Sequence, residues 1–455
     1  MTTAQMHCHP EGIRPGCAKG LSCAKSLTSR QGGRRSFGVL VALVAQALVP
    51  VLFLCAAAPT TRAGDPKDSH QPKIRAVTAF IRLDRPHYET QIQETLKFLR
   101  AAKAAFEKSG YEVQGVRITT QPFPEYIKGL STADALAFFR AYDALAVKEN
   151  FDAAIGPAMM KDSDDPANAE LLAQIVANSK TLEGSIAIAG EDGIHWKSIR
   201  ATAAVIKSLE DHTPHGQGNF RFTAAALVPS GTPFYPASFL SGPGKQFAIG
   251  LQSANVVGDA LADAKSADAA EARLKTLLGR YAQEIEKSAE QIALQSGWKY
   301  GGIDLSPAPL KDISIGAAVE KFYNAPAGSS GTLTVAALIT RALRAIPVTH
   351  AGYSGLMLPI LEDSVLSQRW SEGRLTIDQL LSYSAVCGTG LDTIPLPGDI
   401  TEDQLARILG DVASLSVKWH KPLGARLQPA PDRKAGESTE FNDPFLVNAK
   451  IQPLP

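Results

Sequence analysis

The stretch YSAVCGTGLDTIPLPG, residues 383–398, sets Cys387 before Gly388 and Gly390, then Asp392, Pro395 and Pro397. A helix-like run from Thr376 to Tyr383 leads into it, and an acidic helix start from Asp399 to Asp403 follows. Cys387 is the only cysteine beyond the first 55 residues. A thiol between a regular element and a glycine turn is placed to react if a base or positive potential makes it a thiolate. The competing reading is a small apolar side chain packed in a core, where a free cysteine is usually inert.

Working outward, the other four cysteines (Cys8, Cys17, Cys23, Cys55) fall in an N-terminal region that is not built like a fold. It is polar up to Arg34-Arg35, apolar from Phe37 to Ala58, then small and polar through Gly64. A basic segment, an apolar segment and the small-residue site Thr61-Arg62-Ala63 read as a signal peptide over residues 1–63. Arg34-Arg35-Ser36-Phe37 fits a twin-arginine export signal. The apolar run, about 20 residues, is also long enough to be an uncleaved anchor. The expectation is an exported, periplasmic or extracytoplasmic protein that meets the export machinery through this segment, with a membrane-anchored form as the alternative. Without its leader the chain keeps one thiol and no internal disulfide, so packing must stabilise it.

Formal charge is +1 over 455 residues, which gives no basic surface for nucleic acid. The remaining length is ample for a large core. From Lys73 onward, short apolar runs alternate with amphipathic helices, the α/β pattern. IRAVTAFIRL (74–83) reads as a strand. Residues 89–109 read as a helix with Ile92, Leu96, Leu99 and Phe106 on one face and Gly110 as its stop. Further strands are expected at 112–119, 151–155, 185–190, 220–228, 246–251 and around Ile303. Helices are expected at 132–148, 169–179, from about 193, at 260–294 with one or two breaks, at 313–322 and at 333–345. The acidic turn at 159–167 reads as loop and helix-start residues, and His212 and His215 as a solvated loop.

Several groups carry possible chemistry. Asp304 and Ser306 stand where a strand ends in GGIDLSPAP (301–309), the position at which α/β folds collect ligands. AGSSGT (327–332) sets Ser329 and Ser330 before a helix, where free N–H groups can bind an anion or simply be capped. No lysine follows, so it is not a P-loop. His350, Tyr353 and Ser354 share a glycine-punctuated loop, and Lys421 and Arg426 are cationic partners for an anion. No metal-ligand spacing, dinucleotide fingerprint or G-x-S-x-G elbow appears, so no cofactor is assigned.

The blocks KIRAVTAFIRLD (73–84), GGIDLSPAP (301–309), SGLMLPILED (354–363), SAVCGTGLDTIPLPG (384–398) and KPLGARLQPAPDRKAG (421–436) together resemble the DUF711 family, also called UPF0210, of uncharacterised proteins. The resemblance covers essentially the whole chain from Lys73, which implies a single α/β domain over residues 73–455. The family is similar in fold to the pyruvate formate-lyase-like glycyl radical enzymes, which implies a barrel of alternating strands and helices around a loop cysteine, here Cys387. No glycyl-radical segment of the R-V-x-G-Y type stands near the C-terminus. The expectation is an exported enzyme with a non-radical site at the strand ends. Cys387, His350, Asp304 and Asp392 would be its catalytic groups, and Ser306, Ser329, Ser330, Ser354 and Arg426 would hold a small-molecule substrate. The alternative is an exported binding protein for a small anionic ligand.

Overall fold

The computed structural model describes residues 70–454. The readings of residues 1–63 as a leader or anchor lie outside them. Among the described residues no helix is long and apolar enough to cross a membrane.

Ten strands form one sheet: β1 (Lys73–Phe80), β2 (Val116–Thr119), β3 (Asp152–Pro157), β4 (Leu182–Gly190), β5 (Gly193–Ile194), β6 (Phe222–Ala226), β7 (Gln246–Gln252), β8 (Lys299–Asp304), β9 (Gly390–Pro397) and β10 (Leu423–Ala430). The helices are α1 (Tyr88–Lys108), α2 (Thr132–Glu149), α3 (Ala167–Ala177), α4 (Trp196–His212), α5 (Ala254–Ala262), α6 (Ala267–Ser296), α7 (Ile315–Tyr323), α8 (Thr332–Arg344), α9 (Ser364–Ser371), α10 (Ile377–Ser384) and α11 (Glu402–Trp419).

The strand order is β8-β7-β1-β2-β3-β4-β6-β10-β9, with β5 turning back on β4. The five central strands β1, β2, β3, β4 and β6 run parallel. β7 and β10 pair antiparallel to the outermost of these, and β8 and β9 run parallel to β7 and β10. The central strands follow chain order without reversal, so right-handed crossovers through α1 to α4 set those helices on one face of the sheet.

Alternation along the strands divides the side chains between the faces. Val77, Ile118, Ala153, Ile155, Leu182, Ile186, Phe222, Ala224, Leu423 and Leu427 join the main core. This core includes the buried face of α1, with Ile92, Leu96, Leu99 and Phe106. Two small clusters stand apart from it: Ala225, Phe234, Ala237, Ala308, Tyr353 and Met357 in one, and Phe80, Leu240, Ala248 and Ala351 in the other. They mark where loops plug the helix-free face.

The segment between α8 and α9 touches both edges of the sheet. His350 makes a single parallel bridge to Ile303 on β8, and Pro359 makes one to Asp392 on β9. Close approach is needed at Gly302 (φ +120°), where a Cβ would stand 2.7 Å from the Thr349 carbonyl oxygen. The sheet is thus a mixed, ten-stranded one whose regular ladder is open between β8 and β9.

Two strands depart from the sequence reading. The sequence reading sets residues 390–397 in the glycine turn after Cys387 and assigns no element to 423–430, yet these segments form β9 and β10. Pro395 and Pro397 are tolerated because β9 is the edge of the ladder. Pro429 on β10 lies beyond the short pairing with β6, which uses only Leu423 to Ala425. The long helix expected at 260–294 breaks once, and Ser266 caps α6 by accepting from the Ala269 N–H.

Candidate functional site

The helix-free face carries a set of ionisable residues on several neighbouring strands. Arg75 on β1, Arg117 on β2, Asp152 on β3, Glu183 on β4, Asp392 on β9 and Arg426 on β10 all line one cavity of about 420 Å³. Each alternates with core residues of its own strand, as Glu183 does between Leu182 and the buried Gly184–Ile186 run. Register keeps these residues near one level: Arg117 pairs with Asp152 across β2 and β3, and Glu183 pairs with Ala154 across β3 and β4. The level is the N-terminal end of β1 to β4, with Arg426 midway along β10 and Asp392 in the first half of β9.

Arg426 is fully engaged. Its Nε donates to Asp392 Oδ1 at 2.5 Å, and its Nη2 donates to Glu362 Oε1. Burial works against the Arg426 charge, and the two carboxylates more than restore it, leaving the guanidinium above its ordinary pKa. Burial likewise pushes the Glu362 carboxyl up, against the pull of Arg426. The bridge from Pro359 to Asp392 holds this triad together, because it ties the Glu362 segment to β9. Arg221 is engaged differently: it donates to the Val176 and Leu182 carbonyls at 2.8 and 2.9 Å and so pins the end of α3 to the sheet.

Arg75 and Arg117 differ. Among the described residues Arg75 makes no ion pair or hydrogen bond, and its guanidinium carbon lies 4.9 Å from the centre of the Phe445 ring. Burial lowers its pKa to about 10, and the charge of Arg117 adds to the effect. Arg117 lies over the Tyr235 ring at 4.5 Å, with its Nε 3.7 Å from Asp152 Oδ2, beyond hydrogen-bond distance. Glu183 also has no hydrogen bond or ion pair among the described residues. Burial pushes its carboxyl up to about 7, with Arg117 as the strongest opposing charge.

Asp304, Ser306 and Ser354 meet in a buried knot behind the cavity. The Asp304 carboxylate accepts from the N–H groups of Ser306 (3.0 Å), Tyr353 (2.8 Å) and Ser354 (3.0 Å). Ser306 Oγ accepts from the Gly355 N–H, and Ser354 Oγ donates to the Ala351 carbonyl. Burial raises the Asp304 pKa, and these donors oppose it. The knot fastens the end of β8 to the closing segment and sets the Tyr353 ring in the cavity wall.

Cys387 is 1% exposed and belongs to the main core, not to the cavity lining. Its N–H donates to the Tyr383 carbonyl, and its own carbonyl accepts from Lys421 Nζ. Lys421 also donates to the Ser384 carbonyl at 2.8 Å, so a buried ammonium caps the C-terminus of α10 and fixes the cysteine turn. Burial lowers the Lys421 pKa. Just after the thiol, Gly388 crosses the closing segment at Gly355, where a Cβ on either would collide with the other's backbone.

His350 is exposed, and its Nε2 lies 2.9 Å from the Ile346 carbonyl oxygen. Ser329 and Ser330 form a surface turn before α8, with the Thr332 N–H donating to the Ser329 carbonyl. Neither group lines the cavity. Of the residues singled out from sequence, Tyr353, Asp392 and Arg426 line it.

The family model described as "Uncharacterised ACR (DUF711)" matches residues 68–442. The chain belongs to this family. A UPF0210 protein of Pyrobaculum aerophilum is 31% identical over 370 residues, covering 77% of this chain and 81% of that protein. A UPF0210 protein of Pyrobaculum islandicum is 30% identical over 376 residues, with the same coverage of each. One from Desulforudis audaxviator is 27% identical over 358 residues, 73% of this chain and 77% of its own.

The part of the chain matched to DUF711 includes every strand of the sheet and so every strand residue lining the cavity. Sequence reading missed Arg75, Arg117, Glu183 and Glu362, although a signal was present. Each of the first three is an ionisable residue one position from a fully apolar strand neighbour, where a solvent-facing position is the usual inference. Among the described residues no group of three or more His, Cys, Asp or Glu is arranged to hold a metal ion.

Proposed function

We propose that this DUF711 member is an enzyme acting on a small anionic molecule in the charged cavity, by a route that involves no protein radical. The observation that carries the reading is the pair Arg75 and Arg117. They are two guanidiniums in one enclosure with no carboxylate within hydrogen-bond distance. Guanidiniums whose donors no carboxylate takes up, in a pocket of this size, suit a carboxylate or phosphate. Cys387 enters this reading as a residue that shapes the turn before Thr389, which lines the cavity, and not as the nucleophile.

The test is a thermal-shift screen of small carboxylates and phosphates, followed by product analysis on each molecule that stabilises the protein. A stabilising anion that is consumed by the wild type, and neither binds nor reacts with Arg75→Ala, supports the enzyme. An anion that binds through Arg75 and is recovered unchanged supports the second reading, a binding protein, which the same guanidinium pair also suits. Stabilisation that survives both Arg75→Ala and Arg117→Ala would rule out this cavity.

We also propose that the sheet acts as a closed barrel of the pyruvate formate-lyase-like type, with residues 349–359 as its last stave. Its support is the pair of single bridges to β8 and β9. Export through the twin-arginine route is proposed on Arg34-Arg35 and the apolar run after them. A reporter fused after residue 70 should cross the membrane, and Arg34→Lys with Arg35→Lys should retain it in the cytoplasm.

A further inference from the structure

We propose that Glu183 is the group that moves a proton in this cavity, and that the substrate carries one anionic head, seated at Arg75 and Arg117, with its reacting C–H turned to Glu183. The inference rests on the reading of the cavity as an anion site and adds to it a reaction class and a residue with a role.

Geometry selects Glu183 from the acids of the wall. Asp392 and Glu362 are committed to Arg426. Asp152 stands beside Arg117 and is half exposed. Asp443 accepts from the Phe445 N–H at 2.8 Å, and Asp304, outside the lining, accepts three backbone donors. Glu183 is left with no hydrogen bond or ion pair among the described residues, while it lines the same cavity as the anion site.

The groups that face it are Arg117 on β2, Asp152 on β3, Arg221 before β6 and Arg426 on β10, with Arg75 and Tyr235 also within electrostatic reach. Burial outweighs the nearby cations and leaves the carboxyl titrating at about 7. A group poised there gives and takes a proton with little bias at neutral pH, which general acid–base catalysis requires.

The step balances without redox change. The C–H bond between a substrate carbonyl and a carbon–carbon double bond breaks, and its proton passes to a Glu183 carboxylate oxygen. The electron pair stays on the substrate as an enolate whose charge faces the guanidiniums. Glu183 returns the proton on the same face to the far end of that double bond, which shifts into conjugation with the carbonyl and completes an isomerisation. Guanidiniums fixed in place before the reaction stabilise that developing charge without reorganising.

The test uses sulfate, whose charge is constant from weakly acidic to weakly basic pH, with the full-length protein in titration calorimetry. Wild-type affinity should fall about tenfold between roughly pH 6 and 8 as Glu183 ionises beside the anion, with matching proton uptake on binding. Glu183→Gln should bind sulfate with no such dependence, and Arg75→Ala should not bind it. Sulfate binding that needs Arg75 but has the same pH profile in Glu183→Gln overturns the proton-carrier role and leaves the anion site standing. Binding unaffected by Arg75→Ala overturns the anion site itself.

A second readout needs no ligand. In protein labelled with carboxyl-¹³C glutamate, the resonance missing from Glu183→Gln should titrate near neutral pH. Titration near the ordinary value of 4.5 overturns the proposal whatever sulfate does.

Discussion

Two arginine sites on one wall use the same side chain in opposite ways. Arg426 sits between Asp392 and Glu362, its charge matched by two carboxylates that accept from Nε and Nη2. Arg75 and Arg117, across the cavity, repel one another and have no such cover. The first arrangement is structural, because two buried carboxylates would otherwise face each other without compensation. The second leaves two like charges close together with their hydrogen-bond donors untaken by any carboxylate, an arrangement that an anion would relieve. A charged cavity can therefore be divided into scaffold and site by asking which charges already have partners.

The largest effect that would break this division is on stability at Arg426. Arg426→Met strands two buried carboxylates and should cost about 3–5 kcal/mol, seen in urea unfolding. Arg75→Met should change stability by less than about 1 kcal/mol, since it removes a repelled charge. Equal losses at the two sites would dissolve the comparison. Next comes the knot that supports the wall. Asp304→Ala leaves buried N–H groups without an acceptor and should cost about 2–4 kcal/mol, with Asp304→Asn recovering part of it.

Glu183 sharpens the comparison through pH. Its folded pKa of about 7 lies above the ordinary 4.5, so the folded state holds the proton more tightly than the unfolded chain does. Stability should be greatest below about pH 4.5 as far as this group is concerned, and should fall as pH rises through about 7. The loss is about 1–2 kcal/mol after allowance for solvent reaching the cavity. The Glu183→Gln stability–pH curve should lack that slope, so it should appear in the difference between the two curves. An unchanged slope would place the titration elsewhere.

Cys387 and His350 give the smaller effects. Iodoacetamide should label Cys387 only as the protein unfolds, because the thiol is 1% exposed. Cys387→Ala should then cost about 1–2 kcal/mol, through a small cavity. Rapid labelling of the folded protein at neutral pH would restore the thiol as a site residue. His350→Ala, at an exposed position, should stay within about 0.5 kcal/mol.

The helix-facing half of the fold was legible in the sequence because its signals are local. The face of α1 and the alternation in β1 are each set by a few neighbouring residues. β9 and β10 were not legible: prolines and glycines at 388–398 and 422–431 suppress strand propensity, and only distant pairing makes those residues extended. The site divided similarly. Asp392 and Arg426 stood out beside glycine and proline motifs, whereas Arg75, Arg117 and Glu183 lie in ordinary-looking strands. What makes them special is the helix-free face onto which they point, a property of strand order. The resemblance to DUF711 supplied the family and an expected barrel, but no site, because the reactive-loop analogy centres on Cys387 and the charged wall does not.

β10 also sets a condition on synthesis. It closes the order β6-β10-β9, and it carries Arg426 close to the end of the matched family region at residue 442. A nascent chain released before it would present Glu362 and Asp392 without their cation and leave β6 with a bare edge. Premature termination products of this protein should therefore be poor at folding and ready substrates for quality-control proteases, so that a full-length chain is a precondition for any cavity at all.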